Sequence, residues 1–384
     1  MIKKKKNAVV ITKNIIIMKK IILSLLLVLG ANLTALCAQE IFSADDSRIT
    51  YVGRTWVENH EVSFDWTATY IRFAFKGNQL ALKVSDTHKN YYNVWIDKPM
   101  AAEPDQVIAV HGKDTVITLF AAKKKGQHTV TIQKRTEGEQ GTTTIHQVLV
   151  HGELTQAEPL KSRQLEFVGD SYTCGYGSEN SVARDPFKPE TENSSKTYAA
   201  ILARYFDADY VAIAHSGMGI ARNYNTKFAG WYMPDRYQQT FDMDSTMAKD
   251  WNAKQSNFKP AMTIIYLGAN DFSVSMQPKY EAFAKHYNRL LKQIKENYGE
   301  DHPILCCTCK SHEYLFIYVR DMANACGLKN VTYLGCNPAL HHDNDTDLGA
   351  SSHPNYQGHQ KLAHVFLPYV ATLTGWELQD KPIK

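Results

Sequence analysis

The sequence predicts an α/β protein in which an N-terminal antiparallel β-sandwich of jelly-roll type precedes a mainly parallel sheet covered by helices on both faces. Three observations carry this reading: short β-branched and aromatic runs without helical periodicity up to Gly152, a polar linker at Glu153–Ser162 containing Pro159, and strands alternating with helices from Arg163 onward. The chain has 384 residues, enough for two ordinary domains. The expected division is a leader over residues 1–38, a β-domain over 42–155 and an α/β domain over 160–384.

In the β-domain, strands are expected at Ile49–Val52, Val62–Trp66, Tyr70–Phe75, Leu80–Val84, Tyr91–Ile96, Val107–Val110, Thr115–Phe120, His128–Gln133 and Ile145–Val150. The run Tyr70-Ile71-Arg72-Phe73-Ala74-Phe75 alternates as a half-buried strand does, and turns such as Lys76-Gly77-Asn78 and His111-Gly112-Lys113 separate the runs. In the second part, strands are expected at Leu165–Val168, Tyr210–Ala214, Met262–Leu267, Ile304–Thr308 and Val331–Leu334. Helices are expected between them at Thr197–Tyr205, capped by Ser194-Ser195, and at Lys279–Tyr298, Tyr314–Ala325 and Tyr356–Thr372.

The start of the chain reads as an address. Lys19-Lys20 precede the apolar run Ile21–Leu29, and small residues follow near Ala35-Leu36-Cys37-Ala38, the layout of a signal peptide with its start at Met18. A secreted or periplasmic protein is therefore expected, ahead of a membrane-anchored one and of a lipoprotein processed at Cys37. The formal net charge is +4, but the first 38 residues hold seven lysines and no acidic residue, so the remainder is net negative. Nothing in this charge distribution could grip a phosphate backbone, and no nucleic-acid partner is expected. Six cysteines remain beyond Cys37, five of them from Cys306 onward. Cys306 and Cys309 have a Cys-x-x-Cys spacing, but no second pair follows and the stretch Pro303–Cys309 reads as a buried strand. Core thiols are the better reading, with no metal site, although an exported chain permits a disulfide whose pairing the sequence leaves open.

Chemistry gathers at four points in the second part, the first three of them just after a strand, where open α/β sheets place their ligand crevices. Gly169-Asp170-Ser171 turns sharply after the first strand and would leave the Ser171 hydroxyl exposed; alone, such a triplet is an ordinary turn. His215-Ser216-Gly217 could aim a backbone N–H into the same crevice, and Asn270 in Gly268-Ala269-Asn270-Asp271 could donate to a developing oxyanion. His353, between Ser352 and Pro354 before the last helix, would supply the base that a serine nucleophile needs.

These four blocks resemble, in order and context, those of the SGNH (GDSL-type) hydrolases. The longer stretches Gly169–Gly177, Pro189–Ser194 and Leu267–Ser273 are similar to carbohydrate esterase family 2, whose members join a small jelly-roll to a flavodoxin-like three-layer α/β/α hydrolase domain. The resemblance implies that Ser171 attacks an acetyl carbonyl, that His353 is the base, and that the Ser171 and Gly217 N–H groups and the Asn270 amide form the oxyanion hole. It implies no cofactor, and an acetylated xylan, mannan or glucan as substrate, with the 6-hydroxyl of hexoses as a candidate position. Many SGNH enzymes carry Asp three residues before the His, where this chain has Ala350. The resemblance allows a Ser-His pair with a main-chain carbonyl orienting the imidazole; Asp343, Asp345 and Asp347 are the candidate substitutes for the missing acid.

Two other classes compete: an SGNH lipase or thioesterase for other acyl esters, and an inactive sugar-binding protein. Tyr172, Tyr176, Tyr224 and Trp231 near the motifs favour sugar rings over acyl tails, with simple core packing as the alternative for about half of such aromatics. Tyr172, Tyr224 and Trp231 are the expected substrate contacts. Retention of Ser171, Asn270 and His353 argues against an inactive protein.

Overall fold

A computed structural model describes residues 39–226, 230–243, 250–274, 276–308, 313–335 and 346–384. The leader with Met18 and Cys37 lies outside the described residues, as do Cys309, Cys336, Asp343 and Asp345. Among the described residues no helix is long and apolar enough to cross a membrane.

The β-domain is built from β1 (Glu40–Ser43), β2 (Thr50–Val52), β3 (Trp56–Glu58), β4 (Glu61–Phe64), β5 (Tyr70–Ile96), β6 (Gln106–Lys134) and β7 (Thr143–Thr155). Three expected strands merge into β5 and three into β6, because the chain bends within the ladder instead of leaving it. The bend lies where Gly77 pairs with Gly126, and the register shifts just beyond it. Glycine is required there by close approach: a Cβ on Gly77 would lie 2.4 Å from the His151 carbonyl oxygen, and one on Gly152 would lie 2.2 Å from that of Lys76. β7 continues through Glu153 to Thr155, so the stretch read as linker starts as strand. The short β3 carried no sequence signal, having one apolar alternation at most. Phe64, Phe73, Phe75, Leu82, Val94, Ile132 and Val148 close the layers over one apolar core.

In the α/β domain, β8 (Gln164–Gly169), β9 (Asp209–Ala214), β10 (Met262–Tyr266), β11 (Ile304–Thr308) and β12 (Val331–Gly335) form a parallel sheet in the order β9-β8-β10-β11-β12. This is the flavodoxin-like order. The strands are followed or preceded by α1 (Ser171–Cys174), α2 (Tyr198–Phe206), α3 (Met233–Arg236), α4 (Tyr280–Tyr298), α5 (Glu313–Ala325) and α6 (Tyr356–Thr374). Thr197, not Ser194 or Ser195, caps α2 through its side chain on the Ala200 N–H; Ser194–Lys196 forms a separate 3-10 turn.

Strand alternation explains the three layers. Leu165, Phe167, Ile264, Leu305 and Cys307 pack with Tyr198, Leu202 and Phe366 of α2 and α6. Val168, Ile265, Ile304 and Cys306 face the other way, against Phe283 and Leu290 of α4 and Leu315 and Val319 of α5. Adjacent in sequence, Cys306 and Cys307 thus lie in opposite cores, as buried thiols.

Buried polar contacts join the β-domain to the α/β domain. Arg72 pairs with Asp209, whose carboxylate also accepts from the Tyr70 hydroxyl at 2.8 Å and the Lys161 N–H at 2.8 Å. Arg54 lies 3.7 Å from Glu166, and the Asp65 carboxylate accepts from the backbone N–H groups of Asp242 at 2.7 Å and Met243 at 2.9 Å. The Ser194 hydroxyl and N–H donate to the carbonyls of Lys134 and Arg135. Removing one partner of a buried pair strands the other charge. Asp209→Ala should therefore cost about 3–5 kcal/mol of stability while denaturant unfolding stays a single transition. A loss below about 1 kcal/mol would show that this pair does not tie the domains together, whereas a second transition would show that the remaining contacts no longer hold them as one unit.

Candidate active site

Register places the site. Gly169 at the end of β8 lies opposite both Ala214 of β9 and Tyr266 of β10, so the turns after these three strands leave the sheet at one level. After β8 the backbone turns at once into α1. A Cβ on Gly169 would fall 1.9 Å from the Thr173 hydroxyl, which is why glycine stands there. Asp170 caps α1, its carboxylate accepting from the Tyr172 N–H at 3.2 Å and from the Asn270 amide at 3.1 Å. Ser171 occupies the first helical position, where a backbone N–H has no acceptor within the helix.

The structure brings Ser171 and His353 together: His353 Nε2 lies 2.8 Å from Ser171 Oγ. On the other side of the ring, Nδ1 lies 3.1 Å from the main-chain carbonyl oxygen of Ser351. The approach depends on an unusual backbone, since Ser351 (φ 52°) and Ser352 (φ 58°) are both left-handed. Their N–H groups donate to the carbonyls of Asp185 at 2.9 Å and Ala183 at 2.8 Å, which hold the turn in place. Asp347 is fully buried and pairs with Lys361 at 2.7 Å while accepting from the Thr346 hydroxyl at 2.9 Å.

Gly217 has φ 79°, a left-handed conformation that glycine adopts freely, and its carbonyl accepts from the Tyr224 N–H at 2.7 Å. Asn270 Nδ2 donates to Asp170 Oδ2 and, at 2.9 Å, to the Met218 carbonyl. Its neighbour Asp271 is buried and accepts from the N–H groups of Ile220 at 2.9 Å, Ala221 at 2.7 Å and Arg222 at 2.9 Å, clamping the segment after Gly217. Burial lifts the Asp271 carboxyl to about 7 against the pull of these donors.

Ser171, Gly217, Asn270 and His353 line one cavity of about 490 Å³. Tyr172 lies on its floor with its ring 5.4 Å from that of His353, and Tyr224, 55% exposed, stands at its mouth. Trp231 is not among the described lining residues; its half-buried indole lies under the Arg236 guanidinium at 4.3 Å. Two wall residues, Phe187 and Glu139, had no signal in the sequence, whereas Tyr176 was among the aromatics near the motifs. Phe187 stacks on Tyr176 at 3.9 Å, Tyr176 lies 4.5 Å from the His353 ring, and Glu139 reaches the wall from the β-domain. Phe187 sits in an irregular loop and Glu139 in another domain, so neither carried a motif.

Beneath the site, Glu137, Cys174 and Glu192 bring potential ligand atoms within 4.8 Å of one another. Burial and the adjoining Glu137 charge push both the Cys174 thiol and the Glu192 carboxyl well above their ordinary values. Cys174 Sγ donates to Glu137 Oε2 at 3.6 Å.

A parallel sheet in flavodoxin-like order, with a Gly-Asp-Ser turn after its first strand and a histidine on that serine, defines a GDSL-type hydrolase. The family model described as GDSL-like Lipase/Acylhydrolase matches residues 167–361, and that of the Carbohydrate esterase 2 N-terminal region matches residues 51–159. The chain belongs to carbohydrate esterase family 2. It is 28% identical to the cellulase/esterase CelE of Acetivibrio thermocellus over 86% of this chain and 40% of that protein, so it spans less than half of that relative's length. An acetylxylan esterase / glucomannan deacetylase of Cellvibrio japonicus is 30% identical over 68% of this chain and 75% of its own. A solved family two carbohydrate esterase from Clostridium thermocellum, in complex with cellohexaose, superposes with a TM-score of 0.77 at 27% identity, covering 86% of this chain and 100% of that one.

The left-handed Ser351 yields a test of the turn that presents His353. Ser351→Gly should match or exceed the parent in stability, whereas Ser351→Val should lose about 1–2 kcal/mol, measured by chemical denaturation. Equal stability of all three would mean that the turn is not strained at this position.

Proposed function

We propose that this chain is an exported serine esterase that removes O-acetyl groups from plant-type polysaccharides or oligosaccharides. The observation that carries the reading is the 2.8 Å contact of His353 Nε2 with Ser171 Oγ, with a carbonyl oxygen on Nδ1 and three candidate oxyanion donors around one cavity. A carbonyl on Nδ1 favours the tautomer with its proton there, which leaves Nε2 able to take the serine proton. Ser171 Oγ then attacks the acetyl carbonyl carbon, and negative charge develops on the carbonyl oxygen. The Ser171 N–H, the Gly217 N–H and the Asn270 amide are the donors for that charge, with Asn270 giving up one of its present acceptors as the oxyanion forms. His353 returns the proton to the leaving sugar hydroxyl. Water, deprotonated by the same ring, hydrolyses the acetyl-serine and frees acetate.

Carbohydrate as the substrate class is supported by the names of the relatives, by the cellohexaose held by the solved family member, and by the exposed Tyr224 beside polar groups at the cavity mouth. An aromatic face with polar neighbours suits a sugar ring. Export is supported by the signal-peptide layout before residue 39.

The purified protein should release acetate from acetylated xylo- or manno-oligosaccharides, and Ser171→Ala should nearly abolish release. Product analysis on defined oligosaccharides checks both the class and the acetyl position. Activity of Ser171→Ala equal to the parent would remove the serine mechanism, and turnover confined to long acyl chains would favour a lipase. The proposed dyad has its own test: Asp347→Asn should keep kcat within about tenfold of the parent, because Asp347 serves Lys361 and Thr346. A folded Asp347→Asn variant as inactive as His353→Ala would make Asp347 the third member of a triad.

A further inference from the structure

We infer that Glu137, a residue of the β-domain, is a positioning residue for the oxyanion side of the site; this rests on the roles proposed above for Ser171 and Gly217. Glu137 is fully buried, and its Oε2 accepts from the Ser216 N–H at 2.6 Å and from Cys174 Sγ at 3.6 Å. Cys174 ends α1, the helix that begins with Ser171, and Ser216 immediately precedes Gly217. One carboxylate oxygen from another domain therefore ties the nucleophile's turn to the turn that carries a proposed oxyanion donor.

The tie bears on the adjoining peptide. The Ser216–Gly217 peptide carries the Gly217 N–H, and glycine at φ 79° resists rotation of that peptide less than any other residue. Fixing the Ser216 N–H limits this freedom from one side, as Asp271 does from the other through Ile220, Ala221 and Arg222. The base of the loop has a further anchor: His215 Nδ1 lies 2.8 Å from Asp242 Oδ2, with Glu137 Oε2 3.7 Å from the same nitrogen.

Glu137 is itself held on every side. Lys134 Nζ donates to its carbonyl at 2.8 Å and to that of Thr136 at 2.7 Å, and the Glu137 N–H donates to Glu192 Oε2 at 3.3 Å. Burial, with the neighbouring Glu137, pushes the Glu192 carboxyl well above its ordinary range. The Pro189–Ser194 stretch, whose chemistry the proposed reaction does not use, thereby acquires a purpose as the seat of this carboxylate.

The test compares three substitutions in the full chain. Glu137→Gln keeps an acceptor oxygen at the Ser216 N–H and can turn its amide nitrogen to the side of Oε1, which has no hydrogen-bond partner. Glu137→Asp keeps the charge but withdraws it by one methylene, and Glu137→Ala removes it. Ala and Asp should lower kcat by about 10- to 100-fold with KM within about twofold, and Gln should restore most of kcat. Binding of the deacetylated oligosaccharide should not change. Parent-like kcat in Asp and Ala, a change in KM alone, or Gln falling as far as Ala would each overturn the inference. Where Ala fails to fold, Gln against Asp decides by the same criterion. Failure of the underlying reading is distinct, since it appears as activity in Ser171→Ala whatever Glu137 does.

Discussion

The arrangement of the site depends on one constraint, the in-register parallel pairing of β8 with β9 and β10. Because Gly169 faces Ala214 on one side and Tyr266 on the other, three turns emerge side by side. Parallel strands present the same end, so the backbone donors and side chains of all three turns converge on one crevice. The order β9-β8-β10 also means that the chain leaves β8 in one direction and then crosses to its other side. Ser171 and Asn270 stand on either side of that switch point, the usual ligand crevice of an open α/β sheet. Of the residues in the proposed reaction, His353 alone comes from elsewhere, delivered by the turn before α6.

Burial of charge sets the second condition. Glu166 lies in the middle of β8, where an apolar residue would serve the sheet, and is instead satisfied by the hydroxyls of Tyr237 at 2.9 Å, Tyr298 at 2.8 Å and Thr263 at 2.9 Å, with Arg54 of the β-domain beside it. Arg72 with Asp209, and Asp65 with the Asp242 and Met243 N–H groups, repeat the pattern. Such contacts add little stability compared with apolar packing, but each is strongly unfavourable when one partner is withdrawn. They therefore specify how the two domains meet, and they bring Glu137 and Glu139 of the β-domain to the underside and the wall of the cavity.

The sequence by itself determined the element pattern and the four motif blocks. Period-2 alternation and strand-to-helix switching depend on residues close together in the chain, so β11 is Ile304–Thr308 as expected and the other strands of the parallel sheet differ by about a residue. The same locality explains the misses: the continuation of β5 and β6 through their bends is decided by backbone contacts such as Gly77 with His151, not by the turn residues themselves. Tertiary structure alone decided that Trp231 lies under the Arg236 guanidinium, that Phe187 and Glu139 line the cavity, and that the Ser351 carbonyl faces His353. It alone placed Glu137 on the Ser216 N–H, 79 positions away. Side chains that far apart meet only when two separately formed layers are packed together, and that packing is set by the summed fit of buried surfaces and paired charges, a quantity that no local pattern records.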